Sequence, residues 1–178
     1  SLAGRVGMVE LGTFKANEVF EKPLSQFYEI FTSSLDRKDL LFLKKLKPVL
    51  SHQQLKSVFL KGGYPEPVLG ENEKKYKLWM DNYFRTYVER DIRSLFPKLD
   101  VVKYRRFISM LSSLSGTIVN RSELARSIQV NESTIRDYLE IAMGTFVWRN
   151  YLSFEKSFSK SVVKMPKGGF RDSGLLHY

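Results

Sequence analysis

The sequence predicts a mainly α-helical protein, a helical bundle followed by a winged helix-turn-helix with a short β-hairpin. Three observations carry that expectation. Apolar residues recur at three- and four-residue steps over most of residues 24–114. Residues 122–139, SELARSIQVNESTIRDYL, have the pattern of two helices joined by a tight turn. Behind them, TFVWRNYLSF (145–154) and VVKMPKGGFRD (162–172) read as two strands.

Taken in order, RVGMVEL (5–11) alternates with a strand-like period and predicts a short strand. Pro23 opens a helix over 24–34, with Phe27, Ile30 and Phe31 as its apolar stripe. A second helix spans 37–46, burying Leu40, Leu41, Leu43 and Leu46, and Pro48 ends it. Ser51 caps a third helix whose inner face is Leu55, Val58, Phe59 and Leu60, and Gly62-Gly63 stops it. Pro65 and Pro67 keep the next segment extended. A long helix over 71–95 buries Tyr76, Met80, Phe84, Tyr87, Val88, Ile92 and Leu95. Helical spacing makes its aromatic residues core rather than stacking platforms, and Glu89, Arg90, Asp91 and Arg93 make local ion pairs. A helix over 101–114 buries Val102, Phe107, Met110, Leu111 and Leu114.

In the helix-turn-helix, Ala125 allows close helix contact, Val130 plugs the turn and Asn131 caps the second helix. Leu124, Ile128, Ile135, Tyr138 and Leu139 face the core. The turn carries Gln129 where glycine is common, so it is strained or differently shaped. Such a second helix often enters the DNA major groove. Here Glu132, Asp137 and Glu140 oppose one Arg136, a net charge of −2, which repels phosphates. The alternative is a packing unit that never touches a duplex. If DNA is bound, Ser133, Thr134 and Arg136 approach base edges, while Lys156, Lys160, Lys164 and Lys167 meet phosphates from the wing. The second strand is interrupted by Pro166 and Gly168-Gly169.

The chain has 29 Lys and Arg against 19 Asp and Glu, a net charge of +10, which favours polyanionic partners without specifying one. The excess lies in residues 36–66 and 149–178, each at a net +4, on either side of the acidic helix. There is no cysteine, so disulfides, thiolate metal sites and cysteine nucleophiles are excluded. That composition fits a reducing cytoplasm. With only His52 and His177, neither a zinc site nor a Ser-His-acid triad is expected. No apolar run has membrane-spanning length, and no GxxxxGK[ST] loop is present. The residues alone thus describe a helical domain without catalysis or cofactor of its own.

Several segments together resemble a widespread family of prokaryotic AAA-type ATPases. They are SLAGRVGMVEL (1–11), LKGGYPEPVL (60–69), YFRTYVERDI (83–92), RRFISMLSSLSGTIVNRSELARSI (105–128) and VKMPKGGFRDSGLL (163–176). Members of that family typically join a Walker A/B core to a helical region, a winged helix and a nuclease-like domain. The resemblance implies a piece of a longer protein, as does a start at Ser1 rather than Met. It divides the chain into a trailing strand of the ATPase core (1–19), a helical lid or bridge (20–100), a winged helix (101–165) and the start of a truncated nuclease-like domain (166–178). It further implies ATP and magnesium in the intact parent and an arginine-finger role for Arg5, whose guanidinium would face a transferring phosphoryl group. Asp172 alone could not hold catalytic magnesium. The expected partners are DNA, the protein's own ATPase core or another subunit, with no membrane. The competing readings are a protein-interaction module and a free-standing winged-helix transcription regulator.

Overall fold

The computed structural model describes residues 4, 6, 7, 9–28, 41–70, 72–153 and 165–178. Within them the protein is mainly helical, with one small antiparallel sheet. After a short α1 (Ala16–Val19) come α2 (His52–Lys61), α3 (Pro65–Leu69) and α4 (Glu73–Arg85). The rod of α4 continues as a π-helical segment (Thr86–Ile92) and ends in α5 (Arg93–Leu95). Helices α6 (Val101–Ser113), α7 (Arg121–Ile128) and α8 (Glu132–Gly144) lead into β1 (Trp148–Tyr151), β2 (Lys167–Phe170) and α9 (Ser173–His177).

Local chemistry sets most of these boundaries. Ser51 accepts from the Gln54 N–H at 3.2 Å while the Gln54 side chain accepts from Ser51 N–H, a complete capping box. Asn72, Asp100 and Asn120 cap α4, α6 and α7 in the same sense. Asn131 precedes α8 in an extended conformation but makes no side-chain cap, contrary to expectation. Pro65 and Pro67 do not extend the chain. Pro65 occupies the first turn of α3, where its missing N–H has no intrahelical partner to lose.

The core is built where the π-helical segment meets α6, α7 and α8. Val88 and Ile92 pack with Tyr104, Phe107, Leu111, Leu124, Ile128, Ile135, Tyr138 and Ala142, and Trp148 closes the layer from the sheet. Tyr138 meets Tyr104 edge-on at 5.3 Å and Phe107 at 5.4 Å. The turn between α7 and α8 closes as a Schellman motif, with Val130 N–H donating to Ala125 O at 3.0 Å. Gln129 takes φ 59° and ψ 54°, the left-handed region, so this turn is strained rather than reshaped. Gln129→Gly is therefore expected to raise stability by roughly 0.5 kcal/mol, the relieved strain being partly offset by unfolded-chain entropy. A urea melt that moves the other way would show that the Gln129 side chain contributes more than its backbone loses.

β1 and β2 pair Trp148 with Phe170, Arg149 with Gly169, Asn150 with Gly168 and Tyr151 with Lys167. The second strand runs through Gly168-Gly169 instead of breaking there. A Cβ on Gly168 would overlap the Trp148 indole, so the bare backbone makes room for a large buried ring. The other edge of β2 is covered by residues 116–118, through Gly116 N–H to Gly168 O at 2.7 Å and Gly168 N–H to Thr117 O at 3.0 Å.

Other departures lie in the first half. Residues 6, 7 and 9–11 form no strand, and Val9 and Leu11 are almost fully exposed. Within 24–34 the described part is one 3₁₀ turn at 26–28, and Ile30 and Phe31 lie outside the described residues. Within 37–46, residues 41–43 are helical, but Leu41 is exposed, and Leu40 lies outside the described residues. Leu55, Phe59 and Leu60 of α2, expected inside, are also exposed, as are Leu95 and Val102. Periodicity identifies an apolar face but not whether this body covers it. Among the described residues, no helix is long and apolar enough to cross a membrane.

Candidate functional site

Two regions gather the candidate residues. The first is the start of α8. Ser133 and Arg136 are exposed there, and Thr134 is half-buried against a groove of about 1000 Å³ between the α7–α8 turn and residues 95–100. Arg136 lies 3.8 Å from Asp137, and Glu132 lies 3.4 Å from Arg121. Both pairs are exposed and add little stability, but they bring the helix's acids and bases against each other. The first turn of α8 therefore presents mixed, partly neutralised charge.

Lys167 belongs to the second region, the sheet. The chain leaves the far end of α8 before entering β1, so Ser133 stands roughly 16 Å along the helix axis from Gly144. The structure does not gather Lys167 with Ser133, Thr134 and Arg136. Arg5, Lys156, Lys160 and Lys164 lie outside the described residues.

Strand alternation gives the sheet two unlike faces. Trp148 and Gly168 are buried, and Phe170 stacks edge-on against Trp148 at 5.6 Å. Arg149, Tyr151 and Lys167 occupy the outward face. Arg171, just past β2, places its guanidinium 4.9 Å from the centre of the Phe146 ring. Phe146 has φ 62°, a conformation rare for a bulky residue and often kept at functional positions. Arg149 reaches Glu10 Oε1 at 2.5 Å, and Arg171 closes on the same oxygen. The guanidinium of Arg171, then that of Arg149, holds the Glu10 carboxyl below its ordinary range. The clasp is thus complete above ordinary carboxylate pKa values and opens as pH falls through that lowered value.

Glu10, Phe146, Arg149, Tyr151 and Arg171 line a cleft of about 670 Å³ that also contains Phe14, Tyr64 and Tyr83. At its base, Asp172 is 4% exposed. It caps α9 by accepting from Gly174 N–H at 2.8 Å and ties in α2 by accepting from Gly63 N–H at 2.8 Å. Gly63 O in turn accepts from Phe14 N–H at 2.8 Å. Gly62 sits at φ 77°, and a Cβ there would overlap the Asp172 carboxylate. Tyr64 and Tyr83 share a hydroxyl–hydroxyl hydrogen bond of 2.8 Å, and burial raises both above the ordinary tyrosine range. Asp172 is thus a structural fastener between segments more than a hundred residues apart, and residues 167–177 are integrated with the rest of the body.

The sequence named Lys167 but missed Glu10, Phe146, Arg149, Tyr151 and Arg171. Arg149 and Tyr151 were legible in principle, because they alternate with Trp148 in WRNY. Glu10 carried no local signal, since its partners lie some 140 and 160 residues away. Among the described residues, no group of three or more His, Asp and Glu is placed to hold a metal ion.

Comparison with known proteins gives matches over nearly the whole chain. An uncharacterized protein of Mycobacterium tuberculosis is 29% identical over 177 residues, covering 99% of this chain and 33% of its own length. An uncharacterized protein of Mycobacterium bovis matches to the same extent. The chain thus spans about a third of the length of these relatives. No solved structure matches. Residues 52–178, from the start of α2 through the sheet and α9, match one family, and the chain belongs to that family, Domain of unknown function (DUF8612).

Proposed function

We propose that this chain is the helical and winged-helix segment of a prokaryotic AAA-type ATPase, and that it docks on protein through α8 instead of reading DNA bases. The observation that carries the docking reading is the charge of α8. Its single arginine is turned to Asp137, and Glu132 to Arg121, so α8 presents paired charges where a duplex needs free cations. The order α6, residues 116–118, α7, α8, β1, β2 supports a winged helix, with residues 116–118 pairing on the last strand. The exposed Leu55, Phe59 and Leu60 of α2 supply apolar surface suited to a neighbouring domain. Relatives three times as long leave room for such a core.

The test uses the intact protein. It is expected to carry Walker A and B sequences and to hydrolyse ATP. Charge reversal at Glu132, Asp137 and Glu140 is expected to change turnover by about fivefold. Duplex DNA should bind weakly, and Arg136→Ala should leave that binding within about twofold. A parent without Walker motifs would sink the ATPase assignment. Tight, sequence-preferring binding lost with Arg136→Ala would instead establish DNA reading.

A second reading rests on the sheet. Lys167 shares its outward face with Arg149, and Arg171 follows, which suits phosphate contact. In that case Lys156→Ala with Lys160→Ala would flatten the salt dependence of DNA binding.

A further inference from the structure

The Arg149–Arg171 pair is more than a surface ion pair. Both guanidiniums converge on one oxygen of one carboxylate, so a single negative charge answers two positive ones. Each guanidinium presents several donors in a planar fork, and one shared oxygen uses few of them. A tetrahedral phosphate offers three oxygens and up to two charges, enough to meet both forks. Glu18 and Asp172 also line the cleft. Their carboxylates are engaged elsewhere, Glu18 on Lys15 N–H and Asp172 on Gly63 and Gly174 N–H.

Three rings stand beside the pair with part of their surface open. Phe146 is 57% exposed, Tyr151 51% and Phe14 40%. The Tyr151 ring leans across Gly169, where a Cβ would meet it at 3.2 Å. Glu10 is held by a segment without regular secondary structure, between the exposed Val9 and Leu11. Its carboxylate can therefore leave without dismantling a helix or strand.

We propose that this cleft binds a phosphate monoester of a molecule that also carries a planar ring, with phosphate on Arg149 and Arg171 and the ring against Phe146 and Tyr151, and that Glu10 is its built-in competitor. The same chemistry occurs in a free nucleoside monophosphate and at the 5′-phosphorylated end of a nucleic-acid strand. The inference does not depend on an ATPase parent. The chain itself has no phosphate-cradling loop, so nucleotide binding measured on it cannot come from a Walker site.

Calorimetric titration of this chain tests the proposal, with inorganic phosphate, phenyl phosphate, adenosine monophosphate, and oligothymidine with and without a 5′-phosphate. Phenyl phosphate is expected to bind more tightly than inorganic phosphate. Glu10→Gln should tighten it by about tenfold, and Arg149→Gln or Arg171→Gln should weaken it at least as much. Tyr151→Ala leaves both arginines in place and should erase the preference for phenyl over inorganic phosphate. Preference for adenosine monophosphate over the phosphorylated strand assigns the free nucleotide, and the reverse assigns the strand end. No saturable binding of phenyl phosphate to the Glu10→Gln protein at millimolar concentration overturns the site. So does binding that survives Arg171→Gln in a protein whose thermal melt is unchanged. Equal affinity in Glu10→Gln and the parent chain overturns the role of Glu10.

Discussion

Asp172→Ala is expected to lower the unfolding free energy by about 3 kcal/mol, measured as the shift of the urea midpoint at unchanged slope. The carboxylate is buried and serves two backbone donors, Gly63 N–H and Gly174 N–H. Truncation leaves both without an acceptor, at about 1–3 kcal/mol for each buried donor, and removes the cap of α9. Asp172→Asn retains one carbonyl oxygen but turns an NH₂ towards the second donor, so it should recover about half of the loss. A loss below roughly 1 kcal/mol for Asp172→Ala would mean that water reaches both amides and that the fastener is weaker than its burial implies.

The second large effect belongs to Trp148 and Gly168 together. Trp148 is 1% exposed and lies over the bare backbone of Gly168. Trp148→Ala should cost about 3–5 kcal/mol through lost burial and a cavity. Gly168→Ala should cost about 1–3 kcal/mol, because its new methyl meets the aromatic ring instead of a flexible side-chain end. The two changes address one contact, so their effects should not add. In the Trp148→Ala background, Gly168→Ala should be nearly neutral. Additive losses in that double-mutant cycle would show that Gly168 is required for its backbone and not for the space it leaves.

Where short-range chemistry decides, the sequence reading matches the structure closely. The Ser51 cap, the Gly62-Gly63 stop, the long helix through Leu95 and the paired helices about Gln129 all follow from spacing and capping residues. Both strands also stand inside the expected windows. Pro65 and Pro67 misled because proline restricts the residue before it yet suits the first turn of a helix. The exposed Leu41, Leu55, Phe59 and Val102 misled for another reason. An amphipathic stripe marks an apolar face, but packing decides which of its side chains are covered, and these four remain exposed.

The candidate site was less legible. Its two fasteners, Asp172 on Gly63 and Arg171 on Glu10, span 109 and 161 residues. No local period reports such a meeting. Asp172 reads as an isolated acid in FRDSG until Gly63 is brought to it. The expected wing lysines at 156, 160 and 164 lie outside the described residues, whereas Arg149 stands on β1 and Arg171 just past β2.

The chain of contacts from Phe14 to Gly63, from Gly63 to Asp172, and from Arg171 back to Glu10 has a consequence for any longer protein that carries such a body. It brings residues 10–14 and 170–174 side by side. Polypeptide joined ahead of the first stretch and polypeptide joined behind the second would set out from neighbouring points. A host needs only a narrow gap in its own backbone to accept such a body.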